Sequence, residues 1–410
     1  MDIVGLYGKL ANSKEKEKRL NDLEQEHLKI FGAKAQATFS TSGRTELGGN
    51  HTDHNLGKVL AGSIDLDTIA AVHTTGDNRV IFVSQGFPSL EVDLSDLSVD
   101  ERLFGSTAAL IRGVAAAMVA RGGKVGGFCA NVSSAVFQGS GLSSSAAVEV
   151  LIGTIFNDFF NSGRFSTTDI SIMSQQAENL YFGKPSGLMD QIACANGGIV
   201  GIDFENPTSP KITPVSIDFS DFGYNLVITT TGGSHADLTA DYASIPAEMK
   251  SVAAFFGATA LRSVQPSSFL DNISDVRAFV KNDRAVLRAY HYFEENQRVT
   301  AMLSALNARD FDKYLSLVNE SGQSSFMYLQ NIYSPQSSAE QGISLAYMMA
   351  KLFLKNRGAF RVQGGGFAGT IQAYVPIDMT RAYFTHMERL FGPNCCTTLS
   401  IRNLPTMRVR

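Results

Sequence analysis

The stretch Gly139-Ser140-Gly141-Leu142-Ser143-Ser144-Ser145-Ala146 constrains the chain most, because it stands between a strand-like run and a helix-like run. From Gly127 to Phe137 small and apolar residues alternate, the two-residue period of a strand. After the turn, Ala147, Val148, Leu151, Ile152, Ile155, Phe156 and Phe159 fall on one helical face. Glycines at such a junction let backbone N–H groups point inward at a helix N-terminus, a natural seat for a polyanion, and Ser143 or a neighbour is expected to cap the helix. No Gly-Lys-Ser/Thr follows, so this is not a Walker A loop, and a structural Gly/Ser turn remains the competing reading.

At 410 residues the chain exceeds what one hydrophobic core usually serves, so two lobes with a ligand cleft between them are expected. Leu20, Leu23, His27, Leu28 and Phe31 recur at helical spacing, and strand-like runs surround Ala35–Phe39, Ile69–His73, Val80–Val83, Ile199–Phe204 and Tyr224–Thr230. Helices are predicted over Ala247–Phe256, Val276–Glu295 and Gln341–Leu354. The Pro- and Ser-containing stretch Glu205–Ser220 is the expected crossing, giving lobes 1–215 and 216–410.

A net charge of -4 without a basic run speaks against a nucleic-acid partner. No apolar stretch is long enough to span a bilayer, and the early charged run Lys14–Arg19 lacks the core of a secretory signal. Cys129, Cys194, Cys395 and Cys396 show no CxxC spacing, which fits a reducing, cytoplasmic setting.

Two further clusters carry polar or glycine-rich signals. Gly364-Gly365-Gly366 lies between Phe360-Arg361-Val362 and Ile371–Val375, two strands of an expected hairpin. Three glycines exceed what a tight turn requires and carry an entropy cost, so close approach of backbone to a ligand competes with the plain-turn reading. The run Gly43–Asn55, GRTELGGNHTDHN, reads as one loop dense in hydrogen-bonding side chains, suited to a polyhydroxylated ligand or, on the bland reading, simply solvated.

In this order the three clusters resemble the signature motifs of the GHMP kinase superfamily, and the run at 43–55 resembles specifically the galactokinase family. Gly187-Leu188-Met189-Asp190-Gln191 is similar to the family segment bearing the catalytic aspartate, with Glu178 twelve positions upstream. His235, Tyr242 and Arg288-Ala289-Tyr290-His291 with Glu294 and Arg298 also match, so the resemblance spans nearly the whole chain. It implies a two-lobed α/β (α+β) fold, with an N-terminal lobe like ribosomal protein S5 domain 2 and a ferredoxin-like C-terminal lobe. It also implies phosphoryl transfer from ATP to the C1 hydroxyl of galactose, by a monomer or weak homodimer.

By that resemblance Asp190 and Arg44 are the catalytic pair, and Asn50, His51, Asp53 and Tyr242 contact the sugar. ATP is held by Gly139, Ser140, Gly141, Leu142, Ser143, Ser144 and Ser145 with Gly364, Gly365 and Gly366, while Ser145 and Glu178 ligate Mg²⁺. The chain departs from the family pattern where Asn50 replaces a glutamate, His54 a tyrosine and Phe137 a proline. N-acetylgalactosamine and arabinose therefore stand beside galactose as acceptors.

Two other classes compete. His51-x-Asp53-His54 resembles part of the HxHxDH run of metallo-hydrolases, with Gly49 where the first histidine belongs. A non-catalytic galactose and ATP sensor would alter the serine-rich loop, whereas Ser144, Ser145, Ala146, Glu178 and Asp190 are all present.

Overall fold

The computed structural model describes residues 2–9, 11–136, 141–232 and 238–410. Two sheets form the frame. The first orders its strands β12-β1-β2-β5-β3-β4, with β6 and β7 added beside β2. Its members are β1 (Ala37–Gly48), β2 (Lys58–Thr74), β3 (Arg79–Ser84), β4 (Leu90–Asp93), β5 (Phe128–Ser134), β6 (Ile199–Asp203), β7 (Lys211–Val215) and β12 (Met407–Arg408). The second runs β11-β8-β10-β9, built from β8 (Tyr224–Thr230), β9 (Ala359–Val362), β10 (Thr370–Pro376) and β11 (Cys396–Leu399), all antiparallel.

The long β2 organises the first sheet. It pairs with β1 along one edge, while on the other its start pairs with β6 and its end with β5. Helices Thr107–Ala120, Ser144–Asn161 and Thr167–Leu180 bury Val114, Val150, Ile155, Phe156 and Met173 against Phe39 and Phe128. Each such side chain contributes on the order of 1.5–3 kcal/mol of transfer free energy. Helix Ser13–Phe31 sets Leu20 and Leu23 on Ile69 and Ala71.

The two sheets share a core. Leu47, Leu60 and Ile64 pack with Leu226, Ile228 and Tyr374, together with Met302 and Val318 of helices Asp283–Asn307 and Phe311–Ser324. Strand β7 ends at Val215 and β8 begins at Tyr224, while the C-terminal tail returns to the first sheet, where β12 pairs with β1.

Several local expectations change. The run Gly43–Gly48 is not loop but the second half of β1, with every residue buried. Strand β7 forms inside the expected crossing. The helix expected over Val276–Glu295 is two, Ile273–Val280 and Asp283–Asn307, because Lys281 adopts a left-handed φ of 50° and the Asn282 side chain caps the second by accepting from the Ala285 N–H. Helix Thr239–Phe255 starts earlier than expected and carries Pro246 inside.

Candidate active site

Arg44 projects from β1 and Asp190 stands in the first turn of helix Met189–Asn196. Arg44 donates from Nε to Oδ1 at 2.7 Å and from Nη2 to Oδ2 at 2.8 Å, the two-pronged geometry that a planar guanidinium favours. Arg44 Nη1 also donates to the Gly141 carbonyl, and Ser143 donates its hydroxyl to Asp190 Oδ2. Burial alone would raise the Asp190 carboxyl, but the Arg44 charge and these bonds outweigh it and hold Asp190 below the usual range. An ionised carboxylate results, with 29% of its side-chain surface still exposed to receive a small ligand.

Ser143 explains a departure from expectation. It occupies the N-cap position of helix Ser144–Asn161 with φ 60° and makes no side-chain cap bond, because its hydroxyl is committed to Asp190. Leu142 turns its side chain into the shared core, so only its backbone faces the loop, and its carbonyl accepts from the Arg44 N–H at 3.0 Å. Gly139 and Ser140, with Phe137 and His235, lie outside the described residues.

Beside this corner the buried Glu178 gathers donors. Its Oε1 accepts from Lys184 Nζ at 2.9 Å and Ser145 Oγ at 3.2 Å, and its Oε2 from Ser186 Oγ at 2.5 Å and Gln191 Nε2 at 2.9 Å. Gln191 Nε2 also donates to Glu149 Oε2 at 3.1 Å. Burial, then the Glu178 charge, push the Glu149 carboxyl well above its ordinary range, and its Oε1 has no partner among the described residues.

The expected sugar residues meet the glycine turn. Asn50 Nδ2 donates to the Gly364 carbonyl at 2.9 Å, His51 Nε2 to Gly365 O at 2.9 Å and Tyr242 Oη to Gly366 O at 3.0 Å. Asn331 Nδ2 also donates to Gly365 O at 3.0 Å, so four side chains hold successive carbonyls, while the N–H groups of Gly364 and Gly365 donate to no described residue. Burial, then His54, push the His51 imidazole down to about 3, so the ring is neutral with its proton on Nε2.

Asn50 differs from expectation. It is fully buried, and besides Gly364 its amide donates to Glu46 at 2.9 Å and accepts from Asn331 at 2.7 Å and Ser325 at 3.3 Å, leaving no capacity spare. Asp53 instead borders the segment leading to Asp190: a Cβ on Gly187 would stand 1.8 Å from its Oδ2, so a larger residue there would displace the Asp53 carboxylate.

Glu46, Glu149, Lys184, Ser186, Arg361 and Gln363 escape the sequence reading. Arg361 Nη2 donates to Glu46 Oε1 at 2.7 Å with both residues buried. The one local signal was an arginine on an otherwise apolar hairpin strand.

The geometry agrees with the comparisons. Residues 109–198 match the GHMP kinases N terminal domain and residues 25–74 the galactokinase galactose-binding signature. The galactokinase of Actinobacillus pleuropneumoniae serotype 3 is 31% identical over 378 residues, 90% of this chain and 92% of the relative. That of Clostridium tetani is 29% identical over 305 residues, 72% and 76% of the two chains. The crystal structure of Lactococcus lactis galactokinase complexed with galactose shares the fold at a TM-score of 0.81 and 22% identity, covering 95% of this chain and 100% of that one. With both motif regions matched and a relative alike over nearly its full length, the chain belongs to the galactokinase family of the GHMP kinases.

Proposed function

We propose that the protein transfers the γ-phosphoryl group of ATP to the C1 hydroxyl of galactose, giving galactose 1-phosphate and ADP. The observation that carries this reading is the Arg44–Asp190 pair tied through Ser143 and Gly141 to the serine-rich turn, which sets an ionised carboxylate and a cation beside a helix N-terminus. Asp190 accepts or orients the proton of the attacking hydroxyl, and Arg44 keeps that carboxylate ionised and stabilises charge on the transferring group. Among the described residues the cluster offers a base in Asp190 and a cation in Arg44, which suits direct in-line transfer.

Gly139–Ser145 and Gly364–Gly366 hold the nucleotide in this reading, supported by the N–H groups of Gly364 and Gly365, which donate to no partner among the described residues. Ser145 and Glu178 present a hydroxyl and a carboxylate 3.2 Å apart, an oxygen pair that suits Mg²⁺ completing its shell with phosphate oxygens and water. Bound there, the ion would neutralise phosphate charge. Asp53, His51 and Tyr242 form the sugar side, and Asn50 serves it by holding the glycine turn.

The metallo-hydrolase reading loses ground because the half-buried His51 gives Nε2 to a backbone carbonyl. We further propose lobes 1–215 and 216–410 and a cytoplasmic enzyme, a monomer or weak homodimer. All four cysteines are free and buried, and among the described residues no helix is long and apolar enough to cross a membrane.

A coupled ADP-release assay across galactose, N-acetylgalactosamine, arabinose, glucose and mevalonate tests the reading. Release dependent on galactose is expected. Release with N-acetylgalactosamine or arabinose alone would move the acceptor, and none with any sugar would favour the sensor.

A further inference from the structure

The serine-rich turn and the glycine turn are far apart in the sequence, Gly141 and Gln363 being 222 positions apart, and their backbones touch. A Cβ on Gly364 would stand 3.4 Å from the Gly141 carbonyl oxygen, and one on Gly141 would stand 3.4 Å from that of Gln363. One side chain bridges this contact. Gln363 is buried at the end of the β9 arm, where its backbone N–H donates to Thr370 O at 3.1 Å. Its Nε2 donates to Gly141 O at 3.2 Å, and its Oε1 accepts from Gln372 Nε2 at 2.8 Å and Thr45 Oγ1 at 3.0 Å.

The partners leave the amide one orientation. Gly141 O can only accept and Gln372 Nε2 can only donate, so the nitrogen must face the serine-rich turn. Gly141 O also accepts from Arg44, whose other nitrogens hold Asp190. Both lone pairs of one carbonyl are therefore engaged, one by the catalytic arginine and one by Gln363. A peptide with its carbonyl pinned on one side presents its N–H on the other.

We propose that Gln363 is a positioning residue for the nucleotide: it locks the Gly141 peptide plane so that the serine-rich turn keeps its amides aimed at phosphate while Arg44 keeps its register on Asp190. This rests on the reading above that the two turns hold ATP. Gln363 itself touches no substrate. The sugar residues His51 and Tyr242 bond Gly365 and Gly366 independently of it, so its loss should fall on the nucleotide side.

Gln363→Glu is the sharpest variant, since it keeps acceptors for Thr45 and Gln372 and replaces the donor to Gly141 with an acceptor that carries charge when ionised. Gln363→Met removes the amide without adding charge and serves where the glutamate impairs folding. For one lost bond the expected result is about a fivefold to tenfold rise in KM for ATP, with KM for the sugar within twofold. The Kd for a fluorescent ATP analogue should rise in parallel, and Thr45→Val, which leaves the Gly141 bond, should change neither KM more than twofold. A folded Gln363→Glu or Gln363→Met enzyme with an unchanged KM for ATP overturns the proposal, as does an equal rise in both KM values. Wild-type protein that does not bind the analogue would instead overturn the reading of the turns as a nucleotide site.

Discussion

Two carboxyl groups, each within a few residues of the N-terminus of its own helix, meet opposite fates. Asp190 lies against Arg44 and accepts from Ser143, and its carboxyl is held below the usual range. Glu149, fully buried on helix Ser144–Asn161, faces Gln191 and the negative Glu178, and its carboxyl is driven well above that range. Burial pushes both the same way, so the partner decides: a bidentate cation outweighs desolvation, whereas an amide and a like charge do not. The Asp190 corner is thus polarised by Arg44, while the Glu149 carboxyl in the interior beneath Glu178 is kept neutral.

Asp190→Asn should break the contrast most severely. Turnover should fall by about a hundredfold or more while KM for the sugar stays close to wild type, and an asparagine enzyme at full rate would remove Asp190 from its role. Arg44→Met strips the cation and leaves a carboxylate in a poor environment. Because Asp190 is 29% exposed, a loss of about 2–3 kcal/mol in urea unfolding is expected, below the range for a fully buried pair. The double variant with Asp190→Asn should lose less than the two singles summed, and strict additivity would mean that the pair is not coupled.

Glu178→Gln removes the charge beside Glu149 and the carboxylate proposed for Mg²⁺. The Mg²⁺ concentration for half-maximal rate should rise about tenfold, and an unchanged value would place the ion elsewhere. The gentlest test is Glu149→Gln. A raised folded-state value means that wild type keeps a proton its unfolded chain has already lost, so wild-type stability falls as pH climbs above the unfolded value of about 4.3. The Gln variant does not titrate, so its melting temperature should gain on wild type from pH 5 to pH 8, by about 2 °C or more. A constant difference across that window would show Glu149 ionised in the fold.

The serine-rich and glycine turns, the strand and helix flanking the first and the β9–β10 hairpin were legible because each is written in local periodicity or in glycines that few other contexts need. The polar run at 43–48 was misread as loop for an equally physical reason. Polarity in a strand normally signals solvent, and here it signals distant partners: Arg44 finds Asp190, Thr45 finds Gln363 and Glu46 finds Arg361. Asn50 misled in the same way, since its four bonds go to Glu46, Ser325, Asn331 and Gly364, three of them far along the chain.

Residue order by itself indicated part of the strand and helix pattern, the presence of an acid, a cation and two glycine-bearing turns, and a family pattern that joins them. Only the tertiary structure decided which hydrogen bonds those groups spend on each other: that Ser143 serves Asp190 rather than its helix, that Asn50 is saturated, and that Gln363 meets Arg44 at one carbonyl. Local preferences act over a few residues, whereas a buried polar group takes whatever partner the packed core brings within about 3 Å, and that choice is made only when the two sheets close on each other.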